Sequence, residues 1–226
     1  VSRDLGGKKM ELDYTLVKFK DLDLKTREGV KLRGYFARKY QDNVIMHNHN
    51  NGNFIFTYPK IQYKVIKNTP YLCGIAEGAA IAARVGIDTD EIMIDSIDLS
   101  TYEKEIMRYK AEFGLETDYV EYSFLTPWMA LNQENYISYK NSNHIQREEI
   151  LKKVLAGNIL SMSKGVNYTV RERINTWFDL NEVYVKFKNI DMIAFKGIFR
   201  VNFRIPDYLG IGKAVSRGFG TVIKIK

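Results

Sequence analysis

The sequence predicts an α+β protein, and three observations lead to this fold class. The 226 residues include 15 tyrosines and 12 phenylalanines, and aromatic residues favour the pleated surface of a β-sheet. Several short segments alternate apolar and polar residues, which is typical of half-buried strands. Residues 146–163 instead repeat apolar residues at helical spacing. A chain of this length has room for two small domains.

Residues 10–99 predict a first domain with a ferredoxin-like (RRM-like) order of elements. Asn51-Gly52 lies between β-prone runs and predicts a hairpin, because a type I′ turn needs positive φ at both central residues. The predicted elements are a strand over 10–22, a helix over 26–40, strands over 43–49 and 54–66, a helix over 74–85 and a strand over 92–99. This order is that of the split βαβ arrangement. Residues 1–9 are set aside as a leader or a trimmed end.

Residues 100–226 predict a second, less regular domain of the same type. Ser100 and Glu103 form a capping-box pattern, and Ile106, Tyr109 and Phe113 follow on one side of a predicted helix. The remaining predicted elements are strands over 119–125, 176–188, 194–205 and 218–226, and a helix over 146–163. The whole chain is therefore expected to hold tandem ferredoxin-like domains.

The composition excludes several classes of protein. Cys73 is the single cysteine, which excludes an internal disulfide framework and a multi-cysteine zinc site. The apolar stretches are shorter than a membrane span, and no secretory leader is recognisable. We therefore expect a cytoplasmic protein.

The net charge of +7 is concentrated near the C-terminal end. Residues 186–226 hold nine Lys and Arg against two acids, so 9 − 2 = +7, and the first 185 residues sum to zero. Residues 87–121 hold eleven acids against three bases. This distribution predicts a face for a polyanion, with an acidic face turned away from it. A solvated basic tail is the alternative.

The strand predicted over 194–205 has one apolar and one basic face. Phe199 and Val201 alternate with Lys196, Arg200 and Arg204. Cations on a sheet surface are well placed to contact phosphates, with a steep salt dependence.

A glycine-rich segment follows this strand. Gly210, Gly212, Gly218 and Gly220 fall within eleven residues, and such a loop lets backbone N–H groups approach phosphate oxygens. The other candidate phosphate-binding residues of the segment are Lys213, Ser216 and Arg217. The segment lacks the Gly-Lys-Ser/Thr ending of a P-loop. A plain hairpin turn is the alternative.

The segment GIGKAVSRGFG resembles the glycine-rich loop of the RAMP superfamily, the repeat-associated RNA-binding proteins of CRISPR systems. Within that group the chain is similar to the pre-crRNA-processing endoribonucleases. The supporting segments are LRGYFARKY, HNH followed by FTYPKIQYKVI, GIAEGA and LTPWMALNQENY. The resemblance implies tandem ferredoxin-like domains, cleavage of CRISPR repeat RNA, no required metal or cofactor, and other effector subunits or a second copy of the chain as partners.

His47 and His49 are the candidate catalytic pair. On a strand, residues i and i+2 face the same side, roughly 6–7 Å apart. One imidazole could take the proton of a ribose 2′-hydroxyl while the other protonates the departing 5′-oxygen. The products would be a 2′,3′-cyclic phosphate and a 5′-hydroxyl. Lys64 and Tyr58 are nearby in sequence and could stabilise the charged phosphorus centre.

Three alternatives stay open. The histidines could be surface residues of a turn, or zinc ligands together with His144 and scattered acids. The chain could also be a non-catalytic RAMP protein, a scaffold subunit that holds repeat RNA without cutting it.

Overall fold

The computed structural model describes residues 9–25, 28–40, 57–95, 97–100 and 103–225, together with the backbone of residues 49–50 and 53–54. These residues form two compact units. The N-terminal unit spans Glu11–Ala111 and takes in Val215–Gly218 from the glycine-rich segment. The C-terminal unit is built mainly from Glu112–Ala214 and the chain from Phe219 onward.

The N-terminal unit has a sheet with two helices. Its elements are β1 (Met10–Phe19), α1 (Gly29–Lys39), β2 (His49–Asn50), β3 (Asn53–Phe54), β4 (Ile61–Ile66), β5 (Thr69–Ile75), α2 (Glu77–Asp88), β6 (Glu91–Ile94), β7 (Ile97–Ser100) and the first part of β8 (Lys104–Phe124). The sheet order is β4-β5-β1-β8. Numbered along the chain, these strands lie in the order 2-3-1-4, which is the order of a ferredoxin-like domain. The predicted fold class is confirmed.

The predicted helix after Ser100 is wrong, because the chain forms the long strand β8 there. The fourth strand of the sheet is therefore the start of β8. The predicted strand over 92–99 is instead a separate hairpin, in which Ile92 pairs with Leu99. Strand β5 was not predicted, and it pairs with both β1 and β4.

The core of the N-terminal unit lies between the sheet and its helices. Phe36 of α1 stacks on Tyr63 of β4, with 5.5 Å between ring centroids, and both side chains are fully buried. Helix α2 packs close to β5 at Gly74, where an added Cβ would lie 2.6 Å from the Cβ of Ala82. Two layers of backbone this close require glycine at that point.

The C-terminal unit repeats the same topology with one change. After β8 it contains α3 (Gln133–Lys140), α4 (His144–Gly165), β9 (Thr176–Phe187), β10 (Ile190–Arg204), a 3₁₀ turn (Val215–Arg217) and β11 (Val222–Lys224). The sheet order is β9-β10-β8-β11, again 2-3-1-4. Between β10 and β11, where the second helix of a ferredoxin-like domain is expected, the chain forms the glycine-rich loop instead.

Helix α4 begins at His144, two residues before the predicted start at residue 146, and covers one face of this sheet. Asn143 and Gln146 form a capping box, in which the side-chain oxygen of each residue accepts a hydrogen bond from the backbone N–H of the other at 3.0 Å. Leu151, Leu155 and Ile159 are buried at helical spacing. Within the described residues, no helix is long and apolar enough to cross a membrane.

Candidate nucleic-acid interface

The glycine-rich loop is held against the C-terminal unit by its second and last glycines. An added Cβ at Gly212 (φ +93°) would lie 2.6 Å from Nε1 of Trp128, and one at Gly220 (φ +63°) would overlap the carbonyl oxygen of Ile211. Trp128 is fully buried and its Nε1 donates to Oδ1 of Asn158 at 3.0 Å. These glycines are therefore required by close packing and by backbone conformation.

Backbone hydrogen bonds tie this part of the loop to itself and to the segment after β8. The N–H of Ile211 donates to the carbonyl of Gly220 at 2.8 Å, and the N–H of Gly220 donates to Pro127 at 2.9 Å. The N–H of Lys213 donates to the carbonyl of Met129 at 3.2 Å. The expectation that successive N–H groups face phosphate is wrong for these three groups. Their function is to hold the loop.

The middle of the loop belongs to the N-terminal unit. At Gly218 (φ +90°) an added Cβ would lie 3.0 Å from the carbonyl oxygen of Tyr63, and at Gly29 an added Cβ would lie 3.4 Å from the carbonyl oxygen of Arg217. The 3₁₀ turn that carries Ser216 and Arg217 is thus packed against β4 and the start of α1.

Arg33 of α1 is a neighbour of this turn that the sequence analysis did not single out. Its side chain is half-buried, and its pKa is lowered by burial and then by the positive charge of Arg217. Gly29 and Arg33 are one helical turn apart and therefore lie on the same face of α1. Arg33 becomes a candidate only because the folded chain brings Gly29 of α1 close to the turn. No pattern in the sequence indicates this approach.

Lys213 is the exposed cation of the loop, and burial lowers its pKa. Lys196 of β10 is exposed as well. Within the described part of the chain, neither Lys196 nor Lys213 forms an ion pair with a carboxylate.

The arginines of β10 are placed differently from expectation. Arg200 forms an ion pair with Glu121 of β8, and its guanidinium lies 5.0 Å from the centroid of the Trp177 ring. Arg204 forms an ion pair with Glu116 of β8 at 2.8 Å. The acidic stretch was expected to turn away from the basic strand. This part of the expectation is wrong, because the antiparallel pairing of β8 with β10 places acids beside both arginines.

The structure describes the histidine hairpin only in part. His47 lies outside the described residues. The backbone of His49 lies in β2, which pairs with β3 so that His49 is opposite Phe54 and Asn50 is opposite Asn53. The predicted hairpin around Asn51-Gly52 is confirmed by this pairing.

Lys64 and Tyr58 are both buried. Lys64, in β4, has no exposed surface, and its Nζ donates to Oε1 of Gln62 at 2.8 Å. Burial lowers the pKa of Lys64 to about 8. Tyr58 precedes the strand and is 8% exposed. Both side chains are therefore largely shielded from solvent.

Metal-ligating side chains do not gather in the described part of the chain. There, no group of three or more His, Cys, Asp or Glu side chains could hold an ion. His144 is the first residue of α4, beside Arg147 and Trp177 in an open groove of about 400 Å³.

Comparisons with known proteins match both halves of the chain. The family model described as the Cas6b N-terminal domain matches residues 10–112, and the Cas6b C-terminal domain matches residues 114–225. A solved structure described as a crystal structure of Cas6b is 46% identical, covers 96% of this chain and 100% of its own, and has a TM-score of 0.92.

Two further relatives are similar to the chain. A structure described as CRISPR RNA processing endoribonuclease Cas6b is 43% identical over 96% of this chain and 100% of its own, with a TM-score of 0.79. An uncharacterised protein of Methanocaldococcus jannaschii is 47% identical over 116 residues, which are 51% of this chain and 79% of that protein.

Proposed function

Because the chain belongs to the Cas6b family, we propose that it is an endoribonuclease that binds CRISPR repeat RNA and cleaves it without a metal ion. The observation that carries this proposal is the similarity, over 96% of the chain, to a protein described as a CRISPR RNA processing endoribonuclease. The same fold is built here from two ferredoxin-like units with a glycine-rich loop in place of one helix.

The proposed reaction uses the ribose next to the scissile phosphate. One histidine of the pair His47 and His49 removes the proton of the 2′-hydroxyl, and the 2′-oxygen attacks the phosphorus atom. The bond from phosphorus to the 5′-oxygen breaks, and the other histidine protonates that oxygen. The fragments end in a 2′,3′-cyclic phosphate and a 5′-hydroxyl. Imidazoles suit both steps, because their unperturbed pKa of about 6.5 makes both protonation states available near neutral pH.

RNA contacts in this proposal come from the exposed and half-buried cations. Lys196 and Lys213 are exposed, and Arg217 is half-buried on the turn that packs against β4. Arg200 and Arg204 are already paired with glutamates, so we assign them a smaller share of the binding free energy. Lys64 and Tyr58 are assigned indirect roles, since their side chains are buried.

The test is cleavage of 5′-labelled repeat RNA in excess EDTA by the wild type and by His47→Ala, His49→Ala and His144→Ala. His144→Ala is the matched control, because it removes the third histidine from the N-terminus of α4. We expect the wild type and the control to cut equally. Each substitution in the pair should slow cleavage by about 10²–10⁴-fold, and methylating the 2′-oxygens should abolish it.

Each part of the proposal can fail separately. Cleavage that persists in both His47→Ala and His49→Ala overturns the histidine mechanism. Cleavage that disappears in EDTA and returns with added metal overturns metal independence. Tight binding by the wild type with no cleavage favours a scaffold protein that only holds repeat RNA.

A further inference from the structure

Trp177 of β9 is an exposed aromatic side chain to which the proposed function gives no role. It is 47% exposed, whereas the other tryptophan, Trp128, is fully buried. Arg200 of β10 is the cross-strand partner of Trp177, and its guanidinium lies over the indole ring, 5.0 Å from the ring centroid. Arg200 is held in turn by its ion pair with Glu121 of β8. The neighbouring strands therefore fix the position of the ring and leave part of it open.

The exposed ring lines an open groove within the C-terminal unit. The groove has a volume of about 400 Å³, which lies in the range of small-molecule sites. Its lining combines apolar and aromatic side chains with charged ones, among them Leu151, Phe195, Arg147, Asp179 and Glu182. A ligand that fits this lining has a flat apolar surface together with hydrogen-bonding groups at its edge.

Hydrogen bonds fix the orientation of Glu182 in the groove. The hydroxyl of Tyr139 donates to Oε1 of Glu182 at 2.5 Å, and Nε of Arg147 donates to the carbonyl of Tyr139 at 3.0 Å. Burial and then the hydrogen bond to Glu182 raise the pKa of Tyr139, so its hydroxyl stays protonated and remains a donor. A carboxylate has room for about four hydrogen bonds, so Glu182 can accept from a ligand as well.

The charges of the lining favour a nucleobase over a phosphate. Glu148 is paired with Lys152 of the same helix at 2.8 Å. The two other carboxylates of the lining, Asp179 and Glu182, outnumber its one guanidinium, Arg147. Such a groove repels a phosphate, but it suits the exocyclic amino group of adenine, cytosine or guanine, which donates hydrogen bonds. Uracil has no such group.

We propose that Trp177 is the stacking platform for one unpaired nucleobase of the RNA, whose amino group donates to the carboxylates of the groove. Bases stack on exposed aromatic side chains in this way in single-stranded RNA recognition. The inference rests on the proposed function for RNA as the ligand. It makes Arg200 a positioning residue, because its guanidinium supports the ring and is already paired with Glu121.

The fluorescence of Trp177 reports the contact directly, because the chain has two tryptophans and Trp128 is fully buried. The probes are single-stranded hexanucleotides with 2′-O-methyl riboses, added in EDTA. They carry adenine, cytosine or uracil, and an abasic hexamer has the same phosphates without bases. We expect the adenine and cytosine hexamers to quench the emission. The uracil hexamer should bind about fivefold more weakly, the equivalent of one hydrogen bond, and the abasic hexamer should leave the emission unchanged.

Substitutions then test the ring and the carboxylates separately. Trp177→Ala should weaken binding of the adenine hexamer by about 5–150-fold. Tyr184→Ala is the matched control, because Tyr184 is a 70% exposed aromatic residue of the same strand that does not line the groove; it should bind as the wild type does. The double variant Asp179→Asn, Glu182→Gln should bind the adenine and uracil hexamers equally and keep the quenching.

Each result decides for or against the base site. Equal quenching by the abasic and adenine hexamers, or wild-type affinity in Trp177→Ala, would overturn it. A double variant that still prefers adenine would overturn the role of the carboxylates. An emission change that follows protein concentration without RNA would show that a second copy covers the ring, and would also overturn the proposal.

The quenching experiment uses the wild type, so it decides the question even if Trp177→Ala fails to fold. It also separates the base site from the proposed endonuclease. If the wild type holds repeat RNA without cutting it and the adenine hexamer quenches, the endonuclease fails and the base site stands. If the wild type cuts repeat RNA and no hexamer quenches, the base site fails and the endonuclease stands.

Discussion

Replacing Gly220 with alanine tests whether the glycine-rich loop is held by its own packing. The added Cβ would overlap the carbonyl oxygen of Ile211, and the φ of +63° disfavours any residue with a side chain. The left-handed conformation costs about 1–2 kcal/mol. Relieving the overlap breaks the hydrogen bonds from Ile211 to Gly220 and from Gly220 to Pro127, each with a net value of about 1 kcal/mol.

The expected loss of unfolding free energy is therefore roughly 3–4 kcal/mol, which corresponds to a fall of about 10 °C in melting temperature for a chain of this size. The assay is thermal unfolding followed by circular dichroism. Gly157→Ala in α4 is the matched control, because an added Cβ there meets no atom within 4 Å. The control should gain about 0.5–1 kcal/mol from helix propensity. A melting temperature of Gly220→Ala equal to that of the wild type would refute the reasoning.

The remaining predictions concern side chains. Trp128→Phe should lower the free energy of unfolding by about 2 kcal/mol or more, because Trp128 is fully buried and hydrogen-bonded. Trp177→Phe, at a site that is 47% exposed, should lower it by less than about 0.5 kcal/mol. Chemical denaturation measures both changes. In the folded protein the pKa of Lys64 is about 8, below the value of 10.5 expected for the unfolded chain. Between pH 8 and pH 10.5 the unfolded state therefore binds more protons than the folded state. The free energy of unfolding consequently rises with pH over this range. The wild type should thus gain melting temperature relative to Lys64→Met from pH 8 to pH 10. Arg204→Met should weaken RNA binding less than Arg217→Met, because Arg204 already has Glu116 as a partner at 2.8 Å; filter binding at one salt concentration compares them.

Each of these predictions has an outcome that contradicts it. Equal losses of unfolding free energy in the two tryptophan variants would mean that burial does not determine how much each side chain stabilises the fold. A constant difference between the wild type and Lys64→Met across the pH range would mean that Lys64 titrates as in the unfolded chain. Arg204→Met binding more weakly than Arg217→Met would mean that its ion pair opens to take RNA.

The long strand β8 shows how a sequence can support two interpretations. Ile106, Tyr109 and Phe113 lie at helical spacing, and a capping-box pattern precedes them, so a helix was predicted. The same stretch also alternates strictly, with Met107, Tyr109, Ala111, Phe113 and Leu115 on one face. Counting both periods would have favoured the strand. The ferredoxin-like class could be predicted because it depends on the order of elements along the chain. The position of the fourth strand was wrong because it depended on choosing a helix or a strand for the stretch that forms β8.

The sequence predicted how many charged residues the candidate site holds, but not which residues pair with them. The nine cations after residue 185 were visible in the sequence. Their partners were not, because Glu121 is 79 residues from Arg200 and Glu116 is 88 residues from Arg204. These pairs depend on the register of β8 against β10, which no local pattern encodes. Arg33 was missed for the same reason, since only the folded chain brings α1 to the 3₁₀ turn.

The ends of the glycine-rich loop and the segment after β8 are two parts of one structural unit. A helix between β10 and β11 would satisfy its own backbone hydrogen bonds, but a loop in that place needs acceptors from elsewhere in the chain. Pro127 and Met129 supply them through their carbonyl groups, and Trp128 fills the space that Gly212 leaves open. The sequence features LTPWMALN and GIGKAVSRGFG therefore occur together for a physical reason. The loop can present Lys213 at a fixed position because a segment about 80 residues earlier holds the ends of the loop.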